Sequence, residues 1–356
     1  MKAPHSTGVS FLLCTYNGAT RIAKTLACIA EQDIPKGLSW EVILVDNAST
    51  DGTAESARSI WRALGAPAPL QLLRESRPGK QYALETAIDY VQHSYTCIVD
   101  DDNRLAPDYM RTGVAILNAH GQIGVLGGQS TATFEGTEPD WFNAFQHCYA
   151  VGPQLDRVGG AFQPMADGNV GRNTLWGAGM FVRTEVWSKL REAGFKSLLV
   201  GRLLTHGDLT GGEDDELCFA AQLLGYEVWY SSKLQLHHHM SAGRLTETYR
   251  DKLVYASARS ANRLNAYRNA LWGKEDAAVG ANLLKDIGYG AVGILKYVFS
   301  PAFLKTGFNT KTIEFMSQRN TLTQLQEKVL HFGRVRKYYE EVLEVKRKLR
   351  AFRQPV

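Results

Sequence analysis

The 356-residue sequence lacks several patterns that would indicate other kinds of protein. No Gly-x-Gly-x-x-Gly follows the first predicted strand, which argues against a dinucleotide-dependent dehydrogenase. Residues 1–8 contain no apolar stretch long enough for a signal peptide, so the expected location is cytoplasmic. Basic residues are not spread along the chain as a general nucleic-acid-binding surface requires, and no nucleic-acid partner is expected.

Cysteine is scarce and has no metal-like spacing. The five cysteines are odd in number, and Cys14 and Cys97 fall within apolar, strand-like runs. Buried reduced thiols are therefore expected rather than disulfides. Hydrophobic residues make up 44% and charged residues 21% of the chain, as in an ordinary soluble protein of one or two domains.

The C-terminal region combines an apolar stretch with a basic tail. Residues 334–353 contain eight Lys or Arg and three Glu, a net charge of +5, although the whole chain carries only +4. Residues 287–304 are largely apolar but contain Lys296 and Pro301. This stretch is near the lower length limit for a spanning helix, about 18–20 residues, and is not expected to span. It is expected either to lie in the membrane interface, with the tail near anionic lipid, or to pack on the sheet domain or on a second subunit of a homodimer.

Strands and helices alternate through the first 120 residues. The apolar, β-rich runs are 9–14, 41–45, 70–73 and 95–99. Each is followed by a helical pattern, which predicts parallel βαβ units in an open sheet buried on both faces. Long helical patterns dominate after residue 245.

Polar and charged residues follow each predicted strand. They are Thr15-Tyr16-Asn17, Asp46-Asn47, Arg74 with Arg77 to Lys80, and Asp100-Asp101-Asp102. Ligands of open α/β sheets bind at the carboxyl ends of the strands, so these residues should share one rim. Three adjacent carboxylates repel one another unless something positive binds them, and Mg2+ prefers one or two carboxylates together with phosphate oxygens. The rim therefore predicts a nucleoside diphosphate with its metal, and a solvated turn is the alternative for the acidic triplet.

Six motifs in order resemble the family-2 glycosyltransferases, which have the GT-A fold. They are 14–17, 45–53, 100–102, 176–179, 212–217, and 237–239 before Arg244-Leu245-Thr246. The resemblance implies an α/β fold with an open, mainly parallel twisted sheet flanked by helices, plus a C-terminal helical region. The implied domains are 1–245, with a nucleotide-binding half at about 9–125 and an acceptor half at 126–245, and a helical region at 246–356.

The same resemblance implies which residues bind the nucleotide sugar. They are Thr15, Tyr16, Asn17, Asp46, Lys80, Asp100, Asp101 and Trp176. The alternatives are packing at a strand end for Tyr16, a turn role for Asp46, a solvated lysine at Lys80 and a core position for Trp176.

Catalysis is expected to involve a divalent ion, Mn2+ or Mg2+, and a carboxylate base. Asp100, Asp102 and His238 are the expected metal ligands. Since alternate strand residues point to opposite faces, His237 and His239 should not share an ion with His238. Asp214 is the expected general base, with Glu213 beside it, and the alternative is that both are only favourable acidic residues at a helix N-terminus.

The function implied by the resemblance is inverting transfer of one sugar from a nucleoside-diphosphate sugar, expected to be UDP-linked, to a hydroxyl of a glycan or lipid-linked acceptor. Metal-assisted in-line displacement with a carboxylate base would achieve it. The absence of the Gln-x-x-Arg-Trp motif of processive relatives favours single transfer, and a role in polysaccharide biosynthesis at the cell envelope is implied. Two alternatives stay open. One is a nucleotidyltransferase, although the glycine-rich phosphate loop of that class is absent at Thr15–Gly18. The other is a non-catalytic nucleotide-sugar-binding module.

Overall fold

The computed structural model describes residues 6–158, 161–199, 211–273, 279–307, 309 and 312–353. Strands and helices alternate at the start of the chain, as the sequence predicts. The elements are β1 (Ser6–Thr15), α1 (Ile22–Ala30), β2 (Ser39–Asn47), α2 (Thr53–Ala63), β3 (Leu70–Glu75), α3 (Lys80–Ile88), β4 (His93–Asp100), β5 (Asn103–Leu105) and α4 (Tyr109–Ala119).

The middle of the chain contributes shorter strands, and the C-terminal part is helical. The middle elements are β6 (Ile123–Phe134), α5 (Phe142–Phe145), β7 (Leu155–Val158), β8 (Ala161–Pro164), β9 (Gly168–Asn169), β10 (Met180–Arg183), α6 (Thr184–Glu192), α7 (Glu213–Leu223) and β11 (Glu227–Met240). The C-terminal helices are α8 (Glu247–Trp272), α9 (Val279–Val298), α10 (Pro301–Thr306), α11 (Ile313–Leu330) and α12 (Phe332–Arg350). Helix α7 begins at Glu213, so Glu213 and Asp214 lie in its first turn.

The main sheet has the order β3-β2-β1-β4-β10-β6-β11-β5, with β9 beside β11. Strands β1 to β4 are mutually parallel where they pair, whereas β10 runs antiparallel to both of its neighbours. The register sets Thr15 beside Asp46 and Cys14 beside Asp100. The expected fold class is confirmed: a mostly parallel central sheet is flanked by helices, with further helices at the C-terminus.

The central strands are buried on both faces, as their continuous apolar sequence predicts. In β1, Phe11 and Leu13 join one apolar cluster, while Leu12 and Cys14 join the cluster on the other face. All five cysteines are free thiols, and Cys14, Cys97 and Cys218 are buried.

The C-terminal helices are attached to the sheet domain. Tyr338, Tyr339 and Val342 of α12 are buried in the same cluster as Leu12. The apolar stretch at 287–304 is divided between α9 and α10, because Ser300 caps α10 by accepting a hydrogen bond from the Phe303 N–H and Pro301 occupies its first turn. Within the part of the chain that the structure describes, no helix is both long enough and apolar enough to cross a membrane.

Candidate active site

A cavity of about 1190 Å3 opens at the carboxyl ends of β1 and β4. Most of the residues predicted from the sequence line it. They are Thr15, Tyr16, Lys80, Asp100, Asp101, Asp102, Trp176, Glu213, Asp214 and His238. The structure does not bring Asn17 or Asp46 to the described cavity wall.

Each of the three consecutive carboxylates is paired with a different cation. The pairs are Lys80 with Asp100 at 2.7 Å, Arg21 with Asp101 at 2.8 Å, and Arg244 with Asp102 at 2.7 Å. The sequence predicts a positive partner for the triplet in the form of a metal ion. The protein itself supplies three cations, from the residue before α1, from the start of α3 and from the turn after β11.

Asp101 holds the turn between β1 and α1. Both of its carboxylate oxygens are engaged, by Arg21 and by the Thr15 hydroxyl, which donates at 2.6 Å. Burial, reinforced by the charge of Asp102, raises the pKa of Asp101 despite these bonds. The contacts assign the Asp101 and Thr15 side chains to shaping this wall of the cavity.

Asn17 and Asp46 connect the turns after β1 and β2. Asn17 adopts a left-handed conformation (φ 47°), and its side-chain oxygen accepts from the Thr50 N–H at 2.8 Å. Asp46 accepts from the Ser49 N–H at 3.1 Å. This local bond is the turn role that the sequence left as the alternative for Asp46.

Asp102 is the centre of a buried polar cluster with His238 and Arg244. The His238 Nε2 atom lies 3.3 Å from Asp102 Oδ1 and 3.2 Å from the Arg244 guanidinium. In β11, His237 is exposed and His238 is buried, so the strand alternation predicted for the histidines is present. One buried strand histidine therefore meets the acidic triplet.

The donor atoms of Asp102 and His238 suit one divalent ion in their spacing. Metal–ligand distances of about 2 Å place two ligands of one ion roughly 3 Å apart, close to the 3.3 Å observed. Among the described residues, no group of three or more His, Cys, Asp or Glu could hold a metal. The pair therefore fits an ion that completes its coordination with phosphate oxygens, as Mg2+ commonly does.

Asp214 lies at the N-terminus of α7, after Gly212 in the left-handed conformation (φ 95°). The Gly177 N–H donates to Asp214 Oδ2 at 2.8 Å, which fixes the carboxylate at the cavity wall. Lys80 is close to this group as well as to Asp100. Burial alone would lower the pKa of Lys80, but the charges of Asp100, Asp214 and Glu213 outweigh it and raise that pKa above its usual value.

Trp176 is half-buried at the cavity wall, which is not the core position considered from the sequence. Its backbone N–H donates to Gln154 Oε1 at 3.1 Å, and the Gln154 side-chain amide in turn donates to the Gly128 carbonyl in β6. The His147 and Trp176 rings are stacked with their centroids 6.1 Å apart, and burial lowers the pKa of His147. Gln154 thus ties the glycine-containing loop that positions Asp214 to the central sheet.

Sequence reasoning missed four residues of this site: Arg21, His147, Gln154 and Arg244. The sequence motif includes Arg244 only as a residue that follows the histidines, although the charge of the acidic triplet predicts cations close to it. Gln154 and His147 carry no local signal, because their partners lie far away in the sequence.

Two family models match the chain. The model described as glycosyl transferase family 2 matches residues 10–163, and the model described as glycosyl transferase family group 2 matches residues 95–257. The chain belongs to glycosyltransferase family 2. Every catalytic and metal-binding residue predicted from the sequence lies within the span of these two models.

The curated relative glycosyltransferase AglE of Haloferax volcanii is 30% identical to this family-2 glycosyltransferase over 140 residues. The match covers 38% of this chain and only 44% of the relative. The chain therefore spans less than half the length of this curated relative.

Solved structures share the GT-A fold of this glycosyltransferase. TarS of S. aureus in complex with UDP-GlcNAc is 16% identical, with a TM-score of 0.50 over 98% of this chain and 93% of the other. The mannosyltransferase PcManGT of Pyrobaculum calidifontis, in complex with GDP-Man and Mn2+, is 18% identical, with a TM-score of 0.48 over 99% and 89% of the two chains. At this identity the likeness to TarS bears on the fold alone.

The glycine at position 177 allows Asp214 to approach the loop, which yields a first prediction. A Cβ at Gly177 would collide with the Asp214 carboxylate, and even the more distant oxygen would lie only 2.6 Å away. We expect Gly177→Ala to displace Asp214 and lower glycosyl transfer at least about 10-fold, since small misplacements of catalytic groups cost about 10²-fold. Transfer rates and thermal melting of the purified variant measure the effect.

Gly121→Ala is the matched control, because a Cβ there meets nothing within 4 Å. Wild-type transfer by Gly177→Ala would contradict the requirement for this close approach. Loss of transfer in both Gly177→Ala and Gly121→Ala would also contradict that requirement.

Proposed function

We propose that the protein is an inverting glycosyltransferase that moves a single sugar from a nucleoside-diphosphate sugar to a hydroxyl group of a glycan or lipid-linked acceptor. The observation that carries the proposal is that one cavity is lined both by the Asp102–His238–Arg244 cluster and by the fixed carboxylate of Asp214. The cluster can receive a diphosphate, and the Asp214 carboxylate can accept a proton. These are the two requirements of sugar transfer.

Asp214 is the proposed general base, with Glu213 beside it. The hydrogen bond from the Gly177 N–H fixes one oxygen of this carboxylate, and Asp214 lines the cavity. The ionised carboxylate is the form that can take a proton from the acceptor hydroxyl, and Lys80 is a cation close to it. Attack from the face opposite the departing diphosphate would invert the anomeric carbon.

The diphosphate is proposed to bind next to Asp100 and Asp102. Arg244 and Lys80 are the cations at this position, and bidentate Arg contacts suit phosphate oxygens. Asp102 and His238, with Asp100 beside them, are the residues that would hold a divalent ion, Mn2+ or Mg2+. Such an ion supplies Lewis-acid stabilisation of the charge that grows on the leaving group.

The nucleoside is proposed to bind near Tyr16 and the turn that contains Asp46, with UDP as the expected nucleotide. Tyr16 is 39% exposed at the cavity, so its ring is free to receive a base. Residues 1–245 are proposed as the catalytic domain, with residues 9–125 as its nucleotide-binding half and 126–245 as its acceptor half, and residues 246–356 as the helical region.

The experiment that tests the proposal is a donor panel. Purified protein is incubated with UDP-, dTDP- and GDP-sugars and Mn2+ or Mg2+, and release of the nucleoside diphosphate is measured. Hydrolysis of one donor class supports the proposal, and the anomeric configuration of the product, read by NMR, tests inversion. Release of inorganic pyrophosphate from a nucleoside triphosphate and a sugar phosphate would support the nucleotidyltransferase alternative instead.

The role of Asp214 generates the second prediction. Asp214→Asn keeps an oxygen that can accept from the Gly177 N–H but loses the proton acceptor. We expect donor affinity to stay within about 3-fold of wild type while kcat falls by about 10²-fold or more. Steady-state kinetics and donor titration by calorimetry measure the two quantities.

Glu185→Gln is the control for Asp214→Asn, since Glu185 is half-exposed on α6 and does not line the cavity. A mutant at position 214 that loses donor affinity but keeps its turnover would show that Asp214 is not the base.

The metal site generates the third prediction. We expect EDTA to abolish transfer, and Mn2+ or Mg2+ to restore it. Asp102→Asn should weaken binding of the metal–nucleotide complex by about 10-fold or more, because a carboxylate ligand is replaced by a neutral amide. Full activity of the wild-type enzyme in chelator would overturn the metal assignment.

The outer face of α9 supports a peripheral contact with the inner face of the cytoplasmic membrane. By their spacing, one helical face holds Leu284, Val292 and Leu295 of α9 and Phe299 directly after its end, and all four are exposed, Phe299 by 82%. Exposed lysines at 285 and 296 border this apolar face. An apolar stripe with lysines at its edge suits the interface of an anionic bilayer.

The membrane contact generates the fourth prediction. We expect the protein to co-sediment with vesicles that contain an anionic lipid, and binding to weaken in high salt because cations contribute to it. Phe299→Ser should reduce the bound fraction about 3-fold or more, since it removes the most exposed aromatic ring of the stripe. Tyr90→Ser, at a half-exposed position after α3, is the matched control.

Protein that stays in the supernatant with anionic vesicles at low salt would refute the membrane contact. A dimer in solution that Phe299→Ser dissociates would identify a second copy of the chain as the occupant instead.

A further inference from the structure

The cavity extends well beyond the residues that receive the donor. Its volume of about 1190 Å3 exceeds the range of about 300–1,000 Å3 that is typical of single-ligand sites. Part of its wall is formed by the helical region, through Tyr249, Val254 and Ser257 of α8, Tyr297 of α9 and Gln318 of α11. We call this part of the cavity the helical arm. The catalytic and metal-binding residues named above all lie outside it.

The helical arm starts next to the proposed diphosphate site. The Tyr149 hydroxyl donates to the Arg244 carbonyl at 3.1 Å, and the Tyr149 and Tyr249 rings lie 6.1 Å apart. Both tyrosines line the cavity. An aromatic wall therefore runs from Arg244, which holds Asp102, to helix α8. A ligand that occupies the arm would adjoin the reacting group and not a separate site.

Tyr297 carries the strongest sign that the arm receives a ligand. Its side chain is 9% exposed and lines the cavity, and its ring packs edge-on against Phe303 at 5.5 Å. Among the residues that the structure describes, none hydrogen-bonds the Tyr297 hydroxyl. Buried hydroxyl groups nearly always have a partner, so this one is expected to find its partner in a bound molecule.

We propose that the helical arm is an acceptor subsite that binds the sugar unit next to the one that is glycosylated, with Tyr297 donating a hydrogen bond to it. This proposal rests on the proposed function and names its acceptor as a saccharide of at least two units. The chemistry of the wall favours a sugar. The Tyr249 and Tyr297 rings offer apolar faces to C–H groups, while Ser257 and Gln318 offer hydrogen bonds to hydroxyl groups.

The alternative occupants fit the arm less well. A lipid chain would not satisfy the Tyr297 hydroxyl and would leave the Gln318 amide without a partner. The nucleotide has its own phosphate-binding cations at Lys80 and Arg244. A neutral saccharide is therefore the class that matches both the aromatic and the polar groups.

Tyr297→Phe tests the proposal, because it removes only the hydroxyl group. Tyr289→Phe is the matched control, since Tyr289 lies on the same helix and is 77% exposed. Both variants and the wild type are assayed with a panel of monosaccharide and disaccharide glycosides under saturating donor. Donor hydrolysis without acceptor and thermal melting are measured in parallel.

We expect the wild type to prefer disaccharide acceptors in kcat/KM. In Tyr297→Phe, KM for the disaccharide should rise by about 2- to 10-fold, the usual effect of one lost hydrogen bond. The monosaccharide reaction, donor hydrolysis and the Tyr289→Phe control should not change. If Tyr297→Phe melts early, Gln318→Ala on the partly exposed face of α11 replaces it, with the same expectation.

Three results would overturn the subsite. They are equal effects of Tyr297→Phe on both acceptor classes, no effect on either class, and a wild-type enzyme that hydrolyses donor but uses no saccharide of the panel. Failure of the proposed function looks different, because the wild type would then hydrolyse no nucleotide sugar at all.

Discussion

Three adjacent carboxylates at the end of β4 constrain the rest of the site. In water such a triplet is tolerated, but Asp101 and Asp102 are buried, where unpaired charge is expensive. The fold meets this requirement with Arg21, Lys80 and Arg244. These cations come from parts of the chain that lie far apart in sequence, so the three ion pairs join the turn before α1, the start of α3 and the turn after β11 at one cavity.

The three pairs have different consequences. Asp101 is saturated by Arg21 and the Thr15 hydroxyl, which makes it part of the frame. The carboxylate of Asp100 and the amine of Lys80 remain at the cavity wall, and Lys80 couples this rim electrostatically to Asp214. Arg244 pairs with Asp102 at 2.7 Å, so a divalent ion bound by Asp102 would compete for the carboxylate oxygens, whereas a diphosphate would compete for the guanidinium. Neighbouring residues of this one short segment therefore have different roles: Asp101 stabilises the cavity wall, whereas Asp100 and Asp102 are the proposed ligand-binding residues.

The sequence predicted the first half of the chain well because its signals there are local. Continuous apolar strands such as β1 and the residues that follow them determine both the sheet and the rim where Thr15 and Asp100 meet. The helical N-terminus at Asp214 was recognisable for the same reason. Arg21 and Gln154 were not predicted, since a salt bridge or an amide contact between distant segments leaves no periodic pattern. The role of Asn17 was also hidden, because its turn contacts depend on a neighbouring loop.

Helix α9 shows why the helical region was the hardest part to interpret from sequence. Its apolar residues lie on two faces: Leu283 and Tyr297 are buried, while Leu295 and, directly after the helix, Phe299 are exposed. Hydropathy alone cannot separate these two faces, and it cannot reveal that Tyr297 lines the cavity. One helix therefore forms part of the cavity wall on one side and presents exposed apolar side chains on the other. Under the proposed function the first face would contact the acceptor and the second the membrane, so a tilt of α9 would move both contacts together.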